Sequence, residues 1–157
     1  MHKKIIVKRE DGGVSIVVPT HEATPELLER DAKAVQGYVS HRILEDEYIP
    51  LDREFRNAWT DDYEGPQIDV HGHKAKEIKL DKLRRDRDQV FKQMGFPHKL
   101  HADIEKAIVS PSVAKVLKDL RDVTEPLKNL IVNDQTSQED LDKINALANV
   151  LKDKLDV

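Results

Sequence analysis

Two β-branched runs, Ile5-Ile6-Val7 and Val14-Ser15-Ile16-Val17-Val18, flank Arg9-Glu10-Asp11-Gly12-Gly13. Asp-Gly or Gly-Gly supplies the positive φ that a tight hairpin needs, so the chain commits near its start to an antiparallel strand pair. Thr24-Pro25-Glu26 then reads as an N-cap, a proline at the first helical position and an acidic first turn. The helix it opens is expected to run from Pro25 to about Gln36, with Gly37 as its stop. Leu27, Leu28, Ala32 and Val35 recur at helical spacing, which lays one face on the hairpin. Tyr38 to Leu44 favours a third strand, Pro50 and the acidic residues before it a turn, and Gln67 to Val70 a brief strand.

Beyond Gly72 the pattern becomes helical and stays so. Lys74 to Met94 carries Ile78, Leu80, Leu83, Val90, Phe91 and Met94 among many Lys, Arg, Asp and Glu, a narrow stripe that one partner helix satisfies. Gly95-Phe96-Pro97 breaks it. Shorter helices follow over Leu100 to Ile108, from Pro111 to about Asp122 with Val113, Val116, Leu117 and Leu120, and from Glu125 to Val132. The last begins at Thr136 or Ser137, with Glu139 and Asp140 in its first turn. Its Leu141, Ile144, Ala148, Leu151 and Leu155 are spaced 3-4-3-4, a coiled-coil seam of about two heptads. So short a seam needs tertiary or subunit packing, and self-association or a partner helix is the expectation. The expected fold is α+β: a small N-terminal antiparallel β domain with a helix over residues 1–72, then a helical C-terminal arm or helical hairpin over 73–157.

Composition narrows the function. Of 157 residues 38% are hydrophobic and 4% aromatic against 36% charged, a balance met in exposed helices and in subunits that complete their core against a partner. The formal charge is -4 with both signs interspersed, so nothing draws a phosphate backbone to the chain as a whole. Lys79, Lys82, Arg84, Arg85 and Arg87 cluster, but Asp81, Asp86 and Asp88 lie between them and no aromatic stands by to stack on bases. A salt-laced helix face is the better account, and no nucleic-acid partner is expected. Cysteine is absent, which excludes disulfides, thiol nucleophiles and thiolate zinc sites. The apolar run after Met1-His2-Lys3-Lys4 is too short for a signal peptide, and no segment approaches the roughly 20 apolar residues of a membrane span. Synthesis and first use in the cytoplasm are expected.

The segment Ile49-Pro-Leu-Asp-Arg-Glu-Phe-Arg-Asn-Ala-Trp59 concentrates the sole Trp, a Phe and two Arg with no catalytic pattern around them. It resembles the core of small proteins encoded beside tail-fibre genes in tailed bacteriophages and prophages. Lys74-Ala75-Lys76-Glu77-Ile78, Leu83-Arg84-Arg85 and Leu120-Arg121-Asp122-Val123-Thr124-Glu125-Pro126 resemble further elements of that family, so the likeness covers about residues 4 to 126. It implies a non-enzymatic tail-module protein, a virion tail component or a tail-fibre assembly factor, whose partners are phage tail or tail-fibre proteins and whose place is the virion or the host cytoplasm during assembly. The chain departs from the family pattern after Met94, where Gly95 to Ser110 replaces a longer helix.

Three constellations carry chemistry. Phe55 and Trp59 stand four apart, on one face of a short helix if Asp52 caps it; with Arg53 and Arg56 they form a structural anchor, or an anion or carbohydrate site. His71-Gly72-His73 in extended chain projects two imidazoles to one side, and His98, His101 or Asp69 would be the third ligand of a metal-dependent hydrolase. A polar strand-to-helix junction explains the pair more simply, so no cofactor and no enzyme is expected. A host-directed binding protein is the remaining alternative. The interaction residues expected are Arg53, Phe55, Arg56 and Trp59, with Leu141, Ile144, Ala148, Leu151 and Leu155.

Overall fold

The computed structural model describes residues 3–62, 65–93, 115 and 118–155. The fold is α+β, with an antiparallel N-terminal sheet followed by helices. The helix expected over 100–108 and most of the one from Pro111 lie outside the described residues, as do Met94, His98 and His101. The chain forms two compact units: Met1–Ala75 with Asn133–Thr136, and Lys76–Val132 with Ser137–Val157.

In the first unit, β1 (Lys3–Arg9) is the centre of a three-stranded sheet, flanked by β2 (Val14–Val17) and β3 (Tyr38–Glu45), both antiparallel to it. The hairpin closes through a three-residue loop: Arg9 N donates to Gly13 O at 3.0 Å, Gly12 N to Arg9 O at 3.0 Å, and Gly12 takes φ +80°. That is a turn followed by a left-handed residue, which glycine adopts without strain. Asp11 Oδ1 accepts from Gly13 N at 2.8 Å and from Arg9 Nε at 3.2 Å.

Strand alternation sorts the sheet into two faces. Ile5 and Val7 face α1 (Pro25–Lys33), where Ala32 is buried and Leu28, Val35, Val17 and Tyr38 pack against them. Thr24 Oγ1 caps α1 by accepting from Leu27 N, as its sequence implies, but the helix ends at Lys33 rather than near Gln36. The opposite face carries Lys4, Ile6, Lys8, Arg42 and Leu44, registered with one another across β1 and β3. The chain from Asp46 to Asp62 is tied to it by ion pairs: Lys4 to Asp46 at 2.9 Å, Lys8 to Asp62, and Arg42 to Asp61. Arg42 Nε donates to Asp61 Oδ2 at 2.9 Å, and the same guanidinium reaches the carbonyls of Gly65, Pro66 and Gln67.

Phe55, Ala58, Trp59, Ile68 and Val70 are also buried in this unit. Here the expectation of one helical face is corrected. Asp52 does not cap a helix; its Oδ1 accepts from Glu54 N two residues on. Phe55 precedes a single 3-10 turn, Arg56–Ala58, and Trp59 opens β4 (Trp59–Thr60), paired with β5 (Asp69–Val70). The two rings are buried because the chain bends at Arg56–Ala58. Four-residue spacing is satisfied by a turn and a strand as well as by a helix. After β5, His71 pairs with Gln135, Gly72 N donates to Asp134 O at 2.9 Å, and Thr136 N to Val70 O at 3.0 Å. Gly72 is the residue this approach permits, since a Cβ there would stand 2.1 Å from Asn133 O.

The second unit takes most of α2 (Gly72–Gln93), then α3 (Glu125–Lys128), and α4 (Gln138–Asp153) capped by Ser137 Oγ, which accepts from Asp140 N at 3.2 Å. Leu80, Leu83 and Phe91 of α2 are buried, with Leu120, Val123 and Leu127. Lys76 and Arg87, both partly buried on α2, serve backbone carbonyls: Lys76 Nζ donates to Lys128 O at 2.9 Å and Leu130 O at 3.1 Å, and Arg87 Nη1 to Arg121 O at 3.3 Å. They satisfy acceptors that chain turns and helix ends leave open. This is why the apolar stripe of α2 reads as narrow.

Candidate interaction surface

Among the described residues one side of β2 is unpaired, because the strand order is β2-β1-β3. Hydrogen-bonded and non-bonded pairs alternate along an antiparallel ladder. Arg9 and Gly13 form a bonded pair, so Val7–Ser15 and Ile5–Val17 are bonded in turn. Val14 and Ile16 therefore direct their peptide groups away from β1, toward the open edge. Val14 O accepts a long contact, 3.5 Å, from Arg9 Nη1, a donor that an added strand would share or displace.

Two depressions adjoin this edge. A polar cleft of about 240 Å³ is lined by Arg9, Ser15, Arg53, Arg56, Asn57 and Trp59. Arg9 is held in place there, with Nη1 donating to Ser15 Oγ at 2.7 Å and Nε to Asp11. Arg53 and Arg56 are different: both are exposed, and among the described residues neither has an ion pair or a hydrogen bond from its guanidinium. Beside the cleft, sharing Ile16, Arg53 and Trp59 with it, lies a groove of about 330 Å³ lined by Val18, Ile49, Pro50 and Leu51 together with the Lys4–Asp46 ion pair. Leu51 is 98% exposed and Val18 68%, although both are aliphatic. Trp59, itself 3% exposed, forms the floor common to both.

The Ile49–Trp59 segment thus divides its residues. Phe55 and Trp59, expected at an interaction site, are buried anchors; Arg53 and Arg56, expected beside them, are presented outward with Leu51. The Val14–Ile16 edge and Leu51 were not singled out by sequence reasoning. The sequence signal for them was available in Pro50-Leu51, an aliphatic residue in a polar turn.

The other candidates lie elsewhere. His71 and His73 stand with ring centroids 5.8 Å apart and share one carboxylate, Asp134 Oδ1, at 3.8 and 3.4 Å from their Nε2 atoms. His71 Nδ1 accepts from Lys74 N at 3.4 Å, at the start of α2. Asp69, one of the proposed third ligands, instead accepts from Gln135 Nε2 at 2.8 Å. Among the described residues no group of three or more His, Asp or Glu is placed to hold a metal ion. On the basic helix, Arg84 pairs with Asp81 at 2.8 Å and Glu77 at 3.4 Å, and Arg87 with Asp88 at 3.4 Å.

Leu141, Ile144, Ala148, Leu151 and Leu155 are each no more than 6% exposed in a single copy of the chain, and α3 packs on α4. Of the two ways to cover so short a seam, tertiary or subunit packing, burial within a single copy is the tertiary one. No helix among the described residues is long and apolar enough to cross a membrane. Searches against protein-family models, curated proteins and solved structures found no match for this chain.

Proposed function

We propose that this protein is a non-enzymatic member of a bacteriophage tail module that works through protein contacts, either as a tail or tail-fibre-associated component or as a tail-fibre assembly factor. The resemblance of Ile49–Trp59 to proteins encoded beside tail-fibre genes supplies the context. The observation that carries the contact role is the division within that segment: two rings buried as anchors, and, beside the edge of β2, an exposed leucine with two exposed arginines that have no ion pair among the described residues. Such a juxtaposition of apolar surface and unneutralised cations suits recognition of another chain.

Mass spectrometry of purified particles, with affinity capture from phage-producing cells, tests it. Stoichiometric copies in particles support a structural component. Absence from particles with recovery of a tail-fibre protein supports an assembly factor. Recovery of a host protein alone overturns the tail-module reading in favour of a host-directed one. An equivalent of zinc retained after purification, with hydrolytic activity lost on replacing His71, overturns the non-enzymatic reading.

A further inference from the structure

We propose that the open edge of β2 receives an extended acidic segment of a partner protein as an added strand, its backbone pairing with Val14 and Ile16 and its carboxylates meeting Arg53 and Arg56. This deepens the protein-contact reading and rests on it. Three observations converge. Peptide groups at Val14 and Ile16 face outward from the sheet, as the hairpin's bonded pairs require. Arg53 and Arg56 border the same strand without an acidic partner among the described residues, while Arg9 beside them has Asp11. Next along the edge, Val18, Ile49, Pro50 and Leu51 offer an aliphatic seat in a groove that the Lys4–Asp46 ion pair also lines.

Strand addition uses main-chain bonds for affinity and side-chain pockets for selection, and here the selection is charge first, then an aliphatic residue. An extended ligand alternates its side chains between two sides with a rise of about 3.3 Å per residue, so carboxylate and aliphatic groups in alternate order reach the cleft and the groove together. Arginine favours carboxylates through its planar fork, and a lysine-bearing segment meets repulsion. A second copy of this edge does not supply the complement: Val14-Ser15-Ile16-Val17-Val18 carries no carboxylate.

The sole Trp, Trp59, floors both depressions and reports occupancy by its fluorescence. The full chain is titrated with acetyl-Glu-Val-Glu-Val-Glu-Val-amide, with the Lys-Val counterpart, and with glutarate alone, while hydrogen exchange of the Ile16 amide is followed. Expected is a saturable change with the acidic peptide, weakened by salt, and at least about tenfold slower exchange at Ile16, since that amide acquires a partner. Arg53→Glu with Arg56→Glu, both at exposed positions, should weaken binding at least about tenfold while circular dichroism stays unchanged.

No response to the acidic peptide at about 1 mM, equal binding of the Lys-Val peptide, or binding of glutarate as tight as the peptide each overturns the proposal; the last leaves an anion pocket only. Binding with unchanged Ile16 exchange overturns the added-strand geometry. Peptide binding by a protein that never associates with tail components leaves this inference standing and removes the tail-module reading. Stoichiometric presence in particles without peptide binding does the reverse.

Discussion

Arg42 organises more of the first unit than any residue the motifs point to. Its guanidinium is bidentate to Asp61, which is only 14% exposed, and serves three consecutive carbonyls of the loop that follows. Replacing it by Ala leaves a nearly buried carboxylate and several acceptors without partners. Urea denaturation should show a loss of about 2–3 kcal/mol. Arg42→Lys should lose somewhat less, because one ammonium does not span the fork. A second residue-scale outcome concerns Asp11. The Gly13 amide, then the Arg9 guanidinium, hold its carboxyl below the ordinary 3.8. A lowered folded-state value means the turn's contribution is present above 3.8 and lost as pH falls through the lower value. Carboxyl-carbon NMR should place the Asp11 titration below that of exposed aspartates, and Arg9→Ala should bring it part of the way back.

Elements here are started locally and closed at a distance. Thr24 and Ser137 cap α1 and α4 as their side chains imply, because a cap needs only the next three residues. The start of α2 obeys another rule. Gly72 admits the backbone of Asn133, and its amide is bonded to Asp134 O. Gly72→Ala would drive a Cβ into the Asn133 carbonyl, with a backbone atom and not a flexible side chain as the obstacle. The melting temperature should fall by several degrees, about 2–3 kcal/mol of stability, even though alanine favours helix more than glycine does. A rise in melting temperature would show that Asn133–Thr136 is not held where the structure places it.

At the scale of the whole chain, the heptads of α4 are the instructive case. Ile144 is fully buried and Leu151 1% exposed without a second copy. Ile144→Asp with Leu151→Asp should therefore abolish the cooperative helical unfolding transition, each substitution costing about 4 kcal/mol or more. Light scattering that instead showed a folded variant of lower mass than the wild type would make the stripe an intersubunit seam. The sequence alone determined the hairpin, the caps of α1 and α4 and the α+β order, because turn, cap and periodicity signals act over a few residues. It also marked Phe55, Trp59 and the α4 stripe as apolar positions to be covered. Tertiary structure decided what covers them and what remains outside. Arg42 meets Asp61 across 19 residues, Lys76 caps carbonyls 52 and 54 residues on, and Gln135 reaches Asp69 across 66. No local pattern encodes partners so far apart, and the same holds for Arg53 and Arg56, which have no ion pair among the described residues. That they stand at the open edge of β2, and not in an ion pair, follows from how the chain bends at Arg56–Ala58 and where the sheet ends.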